Sequence, residues 1–376
     1  MKLRKRRISI LLSMLLLLSV FQPAVALDVD PDFEQIYEIG TRLLGDIEHE
    51  KELYGLGGVN FDNLYIGEYI PAYIAKETGL TPSNIRYYPV LENGGWVATL
   101  SCYEVDGIWN GTLSNRFVTE VPEIDANDDL KLIFDSNTCY LSKNSVIHNL
   151  TSYNAVAERV NIASSPMTLS EEDGQKLVNK RAVEIDRFNV GAVSQRSMMV
   201  TSELPMNVYL DIIAVRQTAE WACPIACLQC IMHHFGYIFT EDALCSYHPE
   251  GIDTSVGASL TDLTYICAEI GMNFQHYLRN ISFTEFRTNL ANDRPMIMAC
   301  SPTAESYRKA GHAVVARGYT AYSNSSVYAG SFAYVNTYNA SYEVGTVSIG
   351  NVYHYSYTRE DGTASYNAVD FLAVYE

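Results

Sequence analysis

The stretch Gln217-Thr-Ala-Glu-Trp-Ala-Cys223-Pro-Ile-Ala-Cys-Leu-Gln-Cys-Ile-Met-His-His-Phe-Gly236 reads as a loop running into an apolar helix. Proline at 224 suits the first turn of a helix, where its missing N–H is not needed. Ile225, Cys227, Leu228, Ile231, Met232 and Phe235 then recur at helical spacing, and Gly236 supplies the stop. Cys223 therefore stands at the helix entrance, at the positive end of the dipole and beside unpaired N–H groups, both of which favour thiolate. Cys227 and Cys230, at i+4 and i+7, follow the buried face and read as packing residues. His233 and His234 close the helix, where a cation meets the negative end of the dipole.

Further along, Gly311-His312-Ala-Val-Val-Ala-Arg-Gly-Tyr319 puts a histidine at the head of a short apolar strand, with room expected beside it. Gln217 lies six positions before Cys223. Together these residue types supply what thiol chemistry on a carbonyl needs: a nucleophile in Cys223, a base in His312 and an amide donor for the oxyanion in Gln217. A third member should accept from the imidazole and hold its tautomer. Phe332-Ala-Tyr-Val-Asn336-Thr-Tyr-Asn339 offers two candidates. Asn336 falls within a predicted strand and is preferred; Asn339 falls at its end, where asparagine is common for turn reasons alone.

Another chemistry competes for the same cysteines. The spacing Cys223-x3-Cys227-x2-Cys230 matches that of iron–sulfur sites in radical enzymes that use S-adenosylmethionine. Only 146 residues follow Cys230, and the three cysteines are embedded in a helical pattern rather than a loop. No cofactor and no metal are expected.

The first 26 residues form a targeting segment, with Lys2, Arg4, Lys5, Arg6 and Arg7 ahead of an apolar run from Ile8 to Phe21 and the small-residue pattern Ala24-Val-Ala26. The apolar core is short for a spanning helix, so export is expected, without stable membrane insertion once the segment is removed. The protein is then expected outside the cell or in the cell envelope. About 350 residues remain, enough for two ordinary domains. Residues 27–163 read as a small α+β domain with a mostly antiparallel sheet. Its signals are a helical stripe over 33–47, a hairpin turning at Asn93-Gly94-Gly95, and strands near 130–134 and 139–141. Residues 164–204 are polar and read as a linker. The domain at 205–376 reads as helices near 224–235, 260–270 and 283–289, followed by strands near 296–299, 313–316, 332–337, 346–349 and 371–375, an α+β order.

The charge balance is strongly acidic, 26 Lys+Arg against 44 Asp+Glu, a net −18 that falls to −23 when the five basic residues of the leading segment are set aside. Such a chain repels phosphate backbones and anionic lipid, so nucleic acid is not an expected partner. Eight cysteines in an exported chain raise the question of disulfides, but most stand in apolar surroundings where a free thiol packs as a small hydrophobe.

At these residues the chain resembles bacterial papain-like cysteine peptidases, in particular those that remove double-glycine leaders from bacteriocins and the secreted staphopain and streptopain types. The resemblance spans roughly 205–376. It is carried by Gln217-x5-Cys223, the helix ending His-His-Phe-Gly236, Gly257-Ala-Ser-Leu-Thr-Asp-Leu263, Arg294-Pro-Met-Ile-Met and Gly311-His-Ala-Val-Val. Pro224 stands where many relatives have glycine. The 24-residue step from His312 to Asn336 implies an inserted loop over 319–331. Asn336-Thr-Tyr is similar to the Asn-Ser-Trp of papain-like enzymes, while Asn339-Ala340 would be the counterpart of the leader peptidases' Asp-Pro. Tyr88-Pro-Val and Gly94-Gly-Trp-Val-Ala-Thr-Leu100 look like the propeptide domains of streptopain-like zymogens.

The resemblance implies a papain-like catalytic domain behind a propeptide-like one, and a secreted cysteine endopeptidase made as a zymogen. Its partners would be a peptide or protein substrate and, within the chain, the N-terminal domain. Two other readings remain: a catalytically idle papain-like module that binds peptide or cell-wall partners, and a cell-wall amidase or acyl-transferase using the same Cys–His pair.

Overall fold

The computed structural model of the chain describes residues 32–76, 79–115, 124, 128–135, 138–150, 204–303, 311–359 and 362–376. The expected targeting segment at 1–26 and the expected linker at 164–204, apart from Leu204, lie outside them. Among the described residues, the N-terminal part holds helix α1 (Phe33–Ile47) and nine strands: β1 (Leu64–Ile66), β2 (Ala72–Lys76), β3 (Gly79–Pro82), β4 (Arg86–Glu92), β5 (Gly95–Val105), β6 (Ile108–Ser114), β7 (Leu130–Asp135), β8 (Thr138–Lys143) and β9 (Val146–Asn149). After β10 (Asn207–Tyr209) come helices α2 (Cys223–His234), α3 (Glu241–Ser246) and α4 (Leu260–Glu269), then β11 (Asn273–Tyr277) and α5 (Phe283–Ala291). Strands β12 (Met296–Pro302), β13 (His312–Ala321), β14 (Tyr328–Asn336), β15 (Ser341–Ser348), β16 (His354–Arg359) and β17 (Gly362–Tyr375) close the chain.

Helix and sheet are mixed, as the patterning predicts, but the strands are distributed differently from the expectation. The N-terminal strands are divided between two sheets. Five strands form a sheet in the order β3-β2-β7-β8-β9, with a parallel β2–β7 pair. The others join the C-terminal strands in a twelve-stranded sheet ordered β1-β4-β5-β6-β15-β14-β13-β12-β17-β11, with β10 on β13 and β16 on β17. The join is the antiparallel β6–β15 pair, Val344 opposite Leu113 and Gly345 opposite Thr112. Backbone pairing of this kind leaves little mark on side-chain patterning, which is why the sequence reading did not anticipate it.

The β4–β5 hairpin turns at Asn93 and Gly94, both with positive φ, the conformation a two-residue turn requires between right-twisted strands. Helix α1 buries Ile36, Ile39, Gly40, Leu43, Leu44 and Ile47, one face at helical spacing. It approaches the sheet closely: a Cβ on Gly111 would come within 2.4 Å of Ile39.

The C-terminal strands read as continuous apolar runs because the sheet is covered on both sides. Met296, Met298, Val314, Ala316, Phe332, Tyr334, Phe371 and Ala373 pack with Phe283, Phe286 and Leu290 of α5. The alternate residues Ile297, Ala313, Val315, Val335, Leu372 and Val374 pack with Ile225, Cys227, Leu228, Ile231 and Met232 of α2 and with Leu263 and Ile266 of α4. This alternation fixes α2 against β13. The expected inserted loop at 319–331 is mostly strand, since β13 runs on to Ala321 and β14 starts at Tyr328. Among the described residues, no helix is long and apolar enough to cross a membrane.

The N-terminal residues are also tied to these strands by side chains. Arg317 of β13, 1 % exposed, donates from both terminal nitrogens to the Glu50 carboxylate at 2.8 Å each, and from Nε to the carbonyl of Leu210 at 3.1 Å. Asp46 accepts from the hydroxyls of Tyr322 and Ser331, both at 2.5 Å.

Candidate active site

Helix α2 begins at Cys223 with Pro224 in its first turn. It ends on Gly236 at φ +81°, where the N–H of Tyr237 returns to the carbonyl of Met232 at 2.8 Å. The helix is buried almost all round, and this decides the state of its first residue. Cys223 is only 8 % exposed. Burial pushes its thiol up to about 11, while the backbone N–H groups of Ala313 and of Cys223 itself pull the other way. The expectation that the helix entrance favours thiolate is therefore corrected in this state: desolvation outweighs the N–H groups. Burial likewise pushes up the thiols of Cys230 and Cys267 in the same core.

His312 is the first residue of β13, one position before the Ala313 that faces the sulfur. The expected room beside it is absent, for the residue is 7 % exposed and the rings of Tyr366 and Tyr355 lie 6.1 and 6.4 Å from its own. Its Nε2 is 3.0 Å from Oδ1 of Asn336, the last residue of β14. Asn336 is fully buried, and its Oδ1 also accepts from the N–H of Tyr338 at 3.2 Å. Asn339 goes elsewhere: its Oδ1 lies 2.9 Å from the hydroxyl oxygen of Ser341.

Gln217 is brought to the same place from the other side. Its N–H donates to the carbonyl of Thr337 at 2.8 Å, and its Oε1 accepts from the Thr337 hydroxyl at 3.3 Å. Its Nε2 donates to the carbonyl of Ala219 at 2.8 Å. One of two amide hydrogens is thus committed to the loop. The following residue, Thr218, is clamped by the buried carboxyl of Glu241 at the start of α3, which accepts from the Thr218 N–H at 3.0 Å and from its hydroxyl. Burial raises the Glu241 carboxyl, with the Thr218 contacts opposing it.

Cys227 and Cys230 lie on the same helix, both fully buried: Cys227 has Thr337 beside it, and Cys230 accepts from the N–H of Val215 at 3.3 Å. All eight cysteines are free. Among the described residues, no three His, Cys, Asp or Glu side chains gather in a way that could hold a metal ion.

The sequence reading passed over three contributors: Glu241, Thr337 and Glu343. Glu343 lies behind Asn336, fully buried in β15. A glutamate inside an apolar strand was the available signal, and a Thr directly after the candidate Asn was another.

Residues 209–360, which contain Cys223, His312, Asn336 and Gln217, match the model of the Peptidase_C39 like family. The match supports a bacterial papain-like cysteine peptidase family. No curated protein matches the chain.

Proposed function

We propose that the chain is a secreted cysteine endopeptidase made in a latent form. The observation that carries the reading is the convergence of four residues far apart in sequence. Cys223 lies against Ala313, the preceding His312 bonds to Asn336, and the neighbouring Thr337 holds Gln217. In the reaction, the sulfur adds to a peptide carbonyl as His312 takes the thiol proton. The oxyanion faces the Gln217 amide and the N–H of Cys223. The imidazolium then gives its proton to the departing amine as the C–N bond breaks, leaving a thioester. Water, deprotonated by His312, hydrolyses the thioester and returns the thiol.

Two observations support latency. Cys223 and His312 are both buried, and the sulfur is held as thiol. The N-terminal residues act on the catalytic strands directly, through the β6–β15 pair and the Glu50–Arg317 ion pair. Export rests on the leading segment at 1–26. The same burial also favours a second reading, an idle papain-like module that binds peptide. A cell-wall amidase or acyl-transferase would use the same groups on a different acyl donor.

The test is digestion of a peptide mixture and of muropeptides by the full chain, before and after limited proteolysis within 164–204. Peptide cleavage that appears or rises after proteolysis and is lost in Cys223→Ala supports the proposal. Equal activity before and after rules out latency, attack on muropeptides alone selects the amidase, and no cleavage in either state selects the binding module.

A further inference from the structure

We propose that Glu343 is a positioning residue that sets the direction of the Asn336 amide and, through it, the tautomer of His312, an inference that rests on the Cys–His–Asn reading of the site. The antiparallel β14–β15 register places Tyr334 opposite Glu343 and Asn336 opposite Ser341. Residues two apart on a strand share a face, so these four polar side chains meet on one side of the sheet. All four residues are buried. The Glu343 carboxyl is held at both oxygens: Oε2 accepts from the Tyr334 hydroxyl at 2.9 Å, and Oε1 from the Ser341 hydroxyl at 2.6 Å. Oε1 also faces Nδ2 of Asn336 at 3.4 Å.

An asparagine amide has a donor end and an acceptor end, and rotation by half a turn exchanges them. A pinned acceptor on one side selects the orientation in which Nδ2 faces Glu343. Oδ1 is then turned to the His312 ring and to the N–H of Tyr338. An acceptor beside Nε2 requires the proton there. A neutral imidazole carries one ring N–H, so the lone pair falls on Nδ1, the nitrogen that must act as base. With the amide reversed, Nδ2 would donate to Nε2, the proton would move to Nδ1, and the ring would present no lone pair to a thiol. A carboxyl group buried in a strand carries a desolvation penalty, which the hydroxyls of Tyr334 and Ser341 offset in part.

Two readouts on the full chain test this: nitrogen-15 NMR of the His312 ring, which reads the tautomer, and kcat and KM on one peptide substrate. Wild type is expected in the Nε2–H form. Glu343→Gln is expected to show both tautomers and kcat lowered about tenfold at unchanged KM. Added to Asn336→Ala it should cause no further loss, because the route from Glu343 to the ring is already cut. An unchanged tautomer in Glu343→Gln, or losses that multiply in the double variant, overturns the proposal. Should Glu343→Gln fail to fold, Glu343→Asp, which keeps the carboxyl group but withdraws its oxygen from Nδ2 of Asn336, is read the same way: mixed tautomers support the proposal and an unchanged one overturns it. If wild type cleaves no peptide in any form, the peptidase reading falls, while the tautomer comparison still decides the role of Glu343.

Discussion

Nε2 of His312 lies 3.0 Å from Oδ1 of Asn336, across 24 residues of sequence. The distance follows from the hairpin between them. Strands β13 and β14 run antiparallel with Val315 opposite Val335, so the start of one strand lies beside the end of the other. A neutral amide contributes mainly by holding ring position and tautomer. Asn336→Ala should lower kcat severalfold to a hundredfold, about 1–3 kcal/mol in barrier, with Cys223 still open to alkylation once the site is opened. Asn339→Ala, which loses only the Ser341 contact, should stay near wild type. Kinetics of both variants on one peptide decides; the reverse pattern would transfer the role to Asn339.

Gln217 is aligned by Thr337 on one side and by Ala219 on the other. As an oxyanion donor, it should cost about 10²-fold in kcat when replaced by alanine, with little change in KM. An unchanged kcat in Gln217→Ala would leave it as a residue that only ties the loop to β14.

With its thiol pushed up to about 11, Cys223 holds only about one thiolate in ten thousand at pH 7. Iodoacetamide labelling of this residue in the intact chain should be slow, and should quicken about tenfold per unit from pH 7 to 10. Cleavage within 164–204 should raise the rate at neutral pH. Rapid, pH-independent labelling of the intact chain would contradict the buried thiol.

His354 is buried in β16, and burial lowers its pKa from the ordinary 6.5 to about 4, with Asn367 opposing the shift. Between those values the unfolded chain takes up a proton that the folded chain refuses. This contribution is therefore lost as pH falls through the window, up to about 3 kcal/mol by pH 4. Asp46 and Glu241, both raised by burial, act in the opposite sense, so the informative quantity is the difference between variants. Urea unfolding at pH 7, 5.5 and 4 should show a weaker acid loss in His354→Gln than in wild type. Equal losses would mean that the imidazole titrates normally.

Glu50 neutralises a guanidinium that has almost no access to water. Glu50→Ala should destabilise the chain by about 3 kcal/mol or more, because the charge of Arg317 stays buried without its partner. Glu50→Ala with Arg317→Met should recover part of the loss. A cost below about 1 kcal/mol for the single change, read from denaturant midpoints, would show that the pair is dispensable.

Local pattern determined α1, α2, α4 and α5, the Asn93-Gly94 hairpin and most C-terminal strands, since periodicity and turn residues act over a few positions. It also marked Cys223, His312, Asn336 and Gln217, because proline at a helix start, a histidine at a strand head and an asparagine inside a strand are each visible locally. Asn336 was preferred over Asn339 from its place inside a strand, while its contact with His312 is a product of the β13–β14 register. Burial of the Cys223 sulfur, and with it the loss of the thiolate preference expected at a helix entrance, required the surrounding fold, because desolvation depends on what covers a group rather than on its neighbours in sequence. Glu343 behind Asn336 is likewise a product of cross-strand pairing. The union of N- and C-terminal strands in one sheet is made by backbone pairing that sets Leu113 opposite Val344, 231 residues apart, which no side-chain period records. Periodicity and turn residues act between near neighbours, whereas which groups meet, and which are shut away from water, depends on strands brought together from distant parts of the chain.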